Sequence, residues 1–151
     1  MAASKKDNRR IVAMLLFVIY LVGFFYLLFF GEEMGRNAGV EYRYNIVPFK
    51  EIKRFLASTK VLGMRPVLLN LMGNVVVFMP IGYFIPRVLK KEPGVIVSVL
   101  LCMEFSLAVE IVQLITKKGC CDVDDVILNT LGGLMGYIVY YFLRRRKKKK
   151  C

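Results

Sequence analysis

The chain contains no histidine, and its four cysteines form no Cys-x-x-Cys pair, so the usual donors of a zinc site are missing. Cys102 lies within an apolar run, Cys151 ends a basic tail, and Cys120 and Cys121 are adjacent. No long-range disulfide framework is implied. There is no Walker A loop and no Gly-x-Gly-x-x-Gly, which argues against nucleotide use, and no Gly-x-Ser-x-Gly elbow. Acids are scarce, 11 against 23 lysines and arginines, for a net charge of +12. The excess is not spread over a surface: Arg9, Arg10 and the run from Arg144 to Lys150 flank apolar segments. That placement reads as topological anchoring and attraction to anionic lipid, not as a nucleic-acid site.

What the chain has in abundance is hydrophobic residues, 57% of its 151. Its length suits one domain, and the charges are confined to short stretches between apolar blocks, which is a membrane-protein layout. Each block approaches the roughly 20 residues needed to cross a hydrocarbon core about 30 Å thick. The expectation is an all-α membrane protein: a single domain over 1–151, built as a bundle of four transmembrane helices at about 11–30, 66–86, 93–116 and 125–143, with a basic tail over 144–151. The first block follows Lys5, Lys6, Arg9 and Arg10 but runs 20 residues without a charge from Ile11 to Phe30. That is too long for a secretory signal core and ends without a small-x-small site, so it reads as a retained anchor. With both termini inside, the cytoplasmic side holds 4, 3 and 7 of the 23 basic residues, and the other side holds 7 and 2. N-in, C-in is favoured.

The first external loop, from Gly31 to Arg65, is too polar to span. Within it, Pro48 to Thr59 places Phe49, Ile52 and Leu56 on one helical face, with Lys50, Lys53 and Arg54 turned away. Either a short helix at the membrane surface or a flexible loop fits this window.

Polar residues inside apolar segments are the main functional signal, because a carboxyl or carboxamide in hydrocarbon costs energy unless it meets protein, water or ligand. Asn70 and Asn74 fall about 6 and 12 Å below the outer end of the second block, and Gln113 and Glu110 about 5 and 9 Å below that of the third. The fourth re-enters at Asp125, with Asn129 about 6 Å in. The spacings Asn70/Asn74, Ser106/Glu110/Gln113 and Asp125/Asn129 give each helix one polar stripe, and the three stripes share one depth. Interhelical hydrogen-bond glue explains the amides. Glu110 argues for more, since a glue contact needs no ionisable group. Glu104 projects about 240° round the helix from Glu110, near mid-membrane, and is expected to be protonated or paired with another subunit.

In the turn before the last block, Asp122 is a natural N-cap, and Asp124 and Asp125 suit the positive end of the helix dipole. Asp122, Asp125 and Glu110 also make a weak oxygen-ligand set for a divalent cation, although the spacing is not that of a calcium loop. No cofactor is otherwise implied. Gly132 and Gly136 form a Gly-xxx-Gly pair that lets a neighbouring backbone approach closely. Pro80 and Gly82 are expected to kink or break the second helix.

The run Asn70-Leu-Met-Gly-Asn74-Val-Val-Val-Phe78-Met-Pro80-Ile-Gly82, followed by Ser106-x-x-x-Glu110-x-x-Gln113, Asp122-x-x-Asp125, Asn129-x-x-Gly132 and Gly136-Tyr137, resembles the VanZ-like family of small bacterial membrane proteins. Asn45-Ile-Val-Pro48-Phe49 resembles the family's pre-helix motif. The resemblance covers about two thirds of the chain. It implies the bacterial cell membrane and a link, in the namesake member, with lowered susceptibility to teicoplanin and other lipid-bearing glycopeptides. The family usually carries an arginine near the position of Gly119. Here Lys117 and Lys118 stand nearby, and lysine lacks arginine's planar fork. Three functions are open. The first is binding of a lipid or lipid-bearing ligand at the outer leaflet by Asn70, Asn74, Glu110, Gln113, Lys118, Asp122, Asp125 and Asn129. The second is a hydrolase or transferase acting on a lipid-linked cell-wall precursor, with Glu110 as general base. The third is a structural assembly subunit, such as a homo-oligomer.

Overall fold

A computed structural model describes residues 2–30, 44–117 and 119–148. In chain order the elements are α1 (Ala2–Phe30), β1 (Tyr44–Asn45), α2 (Lys50–Ala57), α3 (Thr59–Leu62), α4 (Met64–Val88), α5 (Val95–Thr116), β2 (Cys121–Asp122) and α6 (Val123–Lys148). Helices α1, α4, α5 and α6 are long and apolar enough to cross a membrane. The bundle is inside out relative to a water-soluble one: Ile19, Leu69, Ile96 and Ile115 are 68, 75, 72 and 69% exposed. Such a surface matches hydrocarbon as solvent. The chain is an all-α membrane protein of four spanning helices.

The helices outrun the apolar blocks at several ends, α6 starting at Val123 and continuing to Lys148, because helical hydrogen bonding does not stop where hydrophobicity does. Of the two expectations at Pro80, a kink or a break, the break does not occur. Helix α4 runs through both Pro80 and Pro86. Each proline removes one intrahelical donor, from the carbonyls of Val76 and Gly82, and α1 separately donates to two other carbonyls of α4. The Tyr20 hydroxyl donates to the Val77 carbonyl, and Arg10 Nε donates to the Val88 carbonyl at 2.9 Å.

Glycines set the spacing of α4 and α6. A Cβ on Gly132 would collide with the Val75 carbonyl oxygen, and one on Gly136 with that of Met79. Gly82 of α4 presses on the Gly133 carbonyl, and Gly133 also faces Cys102 of α5. The Gly-xxx-Gly pair therefore acts as its spacing predicts. Beside this contact lies an aromatic core in which Phe24 of α1 meets Phe78 and Phe105, with centroids at 5.7 and 5.9 Å. Ile81, Cys102 and Val109 complete the buried cluster. At the end of the bundle where α4 stops, the Arg87 guanidinium stacks over Tyr83 at 4.1 Å, and Arg144 pairs with Glu92.

One small feature was not foreseen in the all-α expectation. Strand β1 pairs in parallel with β2, Tyr44 opposite Cys121 and Asn45 opposite Asp122. This ties the segment before α2 to the turn before α6.

Candidate functional site

At the end of the bundle where α5 stops and α6 starts, α5 closes on Lys117 in the left-handed region (φ 55°) and the chain turns at Gly119 (φ 128°). A side chain at Gly119 would crowd Gln113, whose Nε2 lies 3.1 Å from the Cβ position. The turn delivers β2 over α5, where Glu110 Oε2 accepts the Asp122 backbone N–H at 2.9 Å. Glu110 is 2% exposed.

Asp122 is the N-cap that its sequence position suggests. Its Oδ1 accepts the Asp124 N–H at 2.9 Å and also a bond from Asn45 Nδ2 at 2.9 Å. The first satisfies an orphan amide of α6, and the second holds β1. Asn45 Oδ1 in turn accepts the Val47 N–H at 3.2 Å.

Asp124 has the role that spacing alone does not disclose. Helix α2 begins at Lys50 after Phe49, which adopts the left-handed region (φ 64°) and has no side-chain cap to offer. Asp124 supplies it from another helix: Oδ1 accepts the Phe49 N–H at 2.5 Å, and Oδ2 accepts those of Glu51 and Ile52 at 2.8 and 3.1 Å. Three backbone donors and the positive end of α2 compensate a carboxylate buried to 1% exposure.

Deeper in the bundle, Asn74 Nδ2 of α4 donates to Asp125 Oδ1, and Asn129 Nδ2 of α6 donates to Ser106 Oγ of α5 at 2.9 Å. Asn74, Glu110, Gln113, Asp122, Asp125 and Asn129 thus gather where α4, α5 and α6 meet. Asn70 does not join them. It is exposed on α4, one turn beyond Asn74, because the α4–α6 seam runs along Val75, Met79 and Gly82 and leaves the 70 position outside. Lys118 lies outside the described residues. Glu104 is exposed, away from the cluster, as its angular offset predicts.

Two buried acceptor atoms, Gln113 Oε1 and Asn129 Oδ1, have no hydrogen-bond partner among the described residues. Nor do any three acidic, cysteine or histidine side chains there form a group able to hold a metal ion. Burial raises the Cys121 thiol pKa, and the Glu110 and Asp122 carboxylates push it further up. The site is a hydrogen-bonded joint rich in acceptors. Asp124 and Asn45 are the residues sequence reasoning left out of the site. The one pointer to them was the Asn45-Ile-Val-Pro48-Phe49 motif, since their partners lie more than 70 residues away.

The VanZ/LLP1 family profile matches residues 17–144. Protein VanZ of Enterococcus faecium is 29% identical over 128 residues, covering 83% of this chain and 71% of that protein. No solved structure matches the chain. The family match begins at Phe17 in the aromatic core, takes in the whole joint and ends at Arg144, so the chain belongs to the VanZ/LLP1 family.

Proposed function

We propose that this chain is a multi-pass protein of the bacterial cytoplasmic membrane, with both termini inside, that engages the polar head of a lipid or lipid-bearing ligand in the outer leaflet. In this reading it lowers susceptibility to teicoplanin-type antibiotics, as the resemblance to its namesake implies. The observation that carries the reading is the pair of unsatisfied acceptors, Gln113 Oε1 and Asn129 Oδ1, on the helices of Glu110 and Asp125. A buried polar atom without a partner costs about 1–3 kcal/mol, and a head group bearing N–H or O–H donors would relieve that cost. Its acyl chain would lie against the outward apolar side chains of α4, with Asn70 near the head. Helix α2, with Lys50, Lys53 and Arg54 exposed, would rest at the membrane surface above the joint.

The test is Glu110→Gln and Asp125→Asn at matched expression, reading susceptibility to a lipoglycopeptide. In Glu110→Gln the amide carbonyl oxygen can still accept the Asp122 N–H, so the joint stays closed while the ionisable group is lost. A several-fold rise in susceptibility is expected, and unchanged protection in both variants would reject ligand handling.

A second reading is favoured by the density of bonds: the joint is structural, and its acids serve to fasten α2 and α5 to α6. It predicts that Glu110→Gln keeps function while Glu110→Ala loses it. Turnover is a separate question. Incubating the purified protein with labelled lipid-linked precursor, with and without divalent cation, distinguishes a hydrolase or transferase from a binder.

A further inference from the structure

Helix α5 has two faces of opposite character. Ser98, Cys102, Ser106, Val109, Glu110 and Gln113 are buried against the bundle. On the far side, Val97, Leu100, Leu107 and Ile111 are 50, 47, 50 and 46% exposed, and Glu104 is exposed among them. Their spacing runs three, four, three, four. At about 100° per residue these five positions fall within an arc of roughly 80°, which is the a/d seam of two helices packed side by side.

Lipid covers four of these residues without cost. It cannot cover the fifth, because a carboxyl in hydrocarbon needs a hydrogen-bond partner. Glu104 lies in the middle of a span running from Val95 to Thr116, too far from either end for its short side chain to reach the interface. Among the described residues of the four spans it is the exposed carboxyl that is not near a helix end.

We propose that this face of α5 is the interface of a homodimer, with Glu104 hydrogen-bonded to the partner's Glu104. All copies insert in one orientation, so a two-fold axis relating them runs along the bilayer normal and sets each residue opposite itself at the same depth. The two carboxyl groups meet at one depth and share a hydrogen bond, so each group satisfies its twin. Any other membrane partner would have to bring a polar side chain of its own to that one level. A single polar residue at an a position also fixes register and partner number, so Glu104 supplies the specificity while its apolar neighbours supply contact area. This interface lies on a different face of α5 from Glu110, Glu104 standing about 120° from it round the helix, and does not depend on what the joint binds.

The experiment is a cysteine scan in native membranes. In a full-length chain with Cys120, Cys121 and Cys151 changed to serine and the fully buried Cys102 retained, one further cysteine at a time is placed at Leu100, Leu107 or Ile111, or at Val112 or Ile138 on other exposed faces. Treatment with a short bifunctional thiol reagent should give a band at twice 17.3 kDa from the first three positions and not from the last two. Equal crosslinking at all five, none at any, or products of another mass would overturn the proposal. In parallel, energy transfer between labelled copies in bilayers should survive Glu104→Gln, which keeps donor and acceptor. It should weaken by roughly threefold or more with Glu104→Leu, a change that makes the outward surface more lipid-compatible and does not threaten the fold. Undiminished association of Glu104→Leu would equally overturn it.

Discussion

Asp124 accepts three backbone amides that belong to another helix, and it does so while almost fully buried. Removing it leaves the first turn of α2 without a cap, because Phe49 has no polar side-chain atom to replace it. Asp124→Ala is expected to lower stability in detergent by about 1–3 kcal/mol, read by thermal unfolding, with faster hydrogen exchange at Glu51 and Ile52. Asp124→Asn should fall between, since one of its two terminal atoms donates where an acceptor is required. Cys121 gives a second check at this scale. Its thiol pKa is raised by burial and by the carboxylates of Glu110 and Asp122, so it remains a thiol at pH values where an ordinary cysteine is partly thiolate. With Cys120 and Cys151 changed to serine, the alkylation rate of Cys121 should rise at higher pH than that of the same residue in the denatured chain. Glu110→Gln, which removes one of the charges, should move that rise downward.

Between elements, the close approach of α4 and α6 is the contact with least tolerance. Gly136→Ala drives a methyl group into the Met79 carbonyl oxygen, which no rotamer can relieve, so the helices must separate. A loss of about 1–3 kcal/mol is expected. Gly73→Ala, on the same α4 but with nothing within 4 Å of the added carbon, should be neutral or gain up to about 1 kcal/mol from helix propensity. The comparison separates packing from propensity in one assay of detergent-solubilised stability. Much of this level was legible beforehand: four apolar blocks gave four spans, and the Gly132/Gly136 spacing gave the tight seam. The contacts of α1 with α4 were not, because their donors, Tyr20 and Arg10, lie 57 and 78 residues before the carbonyls they reach. The spacing put Asn70 and Asn74 on one stripe, but it could not decide which of the two the seam would enclose.

For the molecule as a whole, the expected orientation predicts a pattern of labelling. With both termini inside, an impermeant thiol reagent added to intact cells should reach Cys120 and leave Cys151 unmodified until the membrane is opened. The reverse pattern would place the joint in the cytosol and remove the outer-leaflet reading. The joint itself was half legible: periodicity brought Glu110, Asp125, Asn129 and Asn74 to one level, whereas the contribution of Asn45 and Asp124 depends on pairing across more than 70 residues, which no local pattern encodes.

The borrowed cap of α2 carries a consequence for biogenesis. The amides of Phe49, Glu51 and Ile52 leave the ribosome long before Asp124 does, so this segment must remain unfinished until the final span has entered the bilayer. Docking of α2 would then report completed insertion, and a chain stalled before α6 should expose the 47–57 stretch to added protease while the finished protein resists.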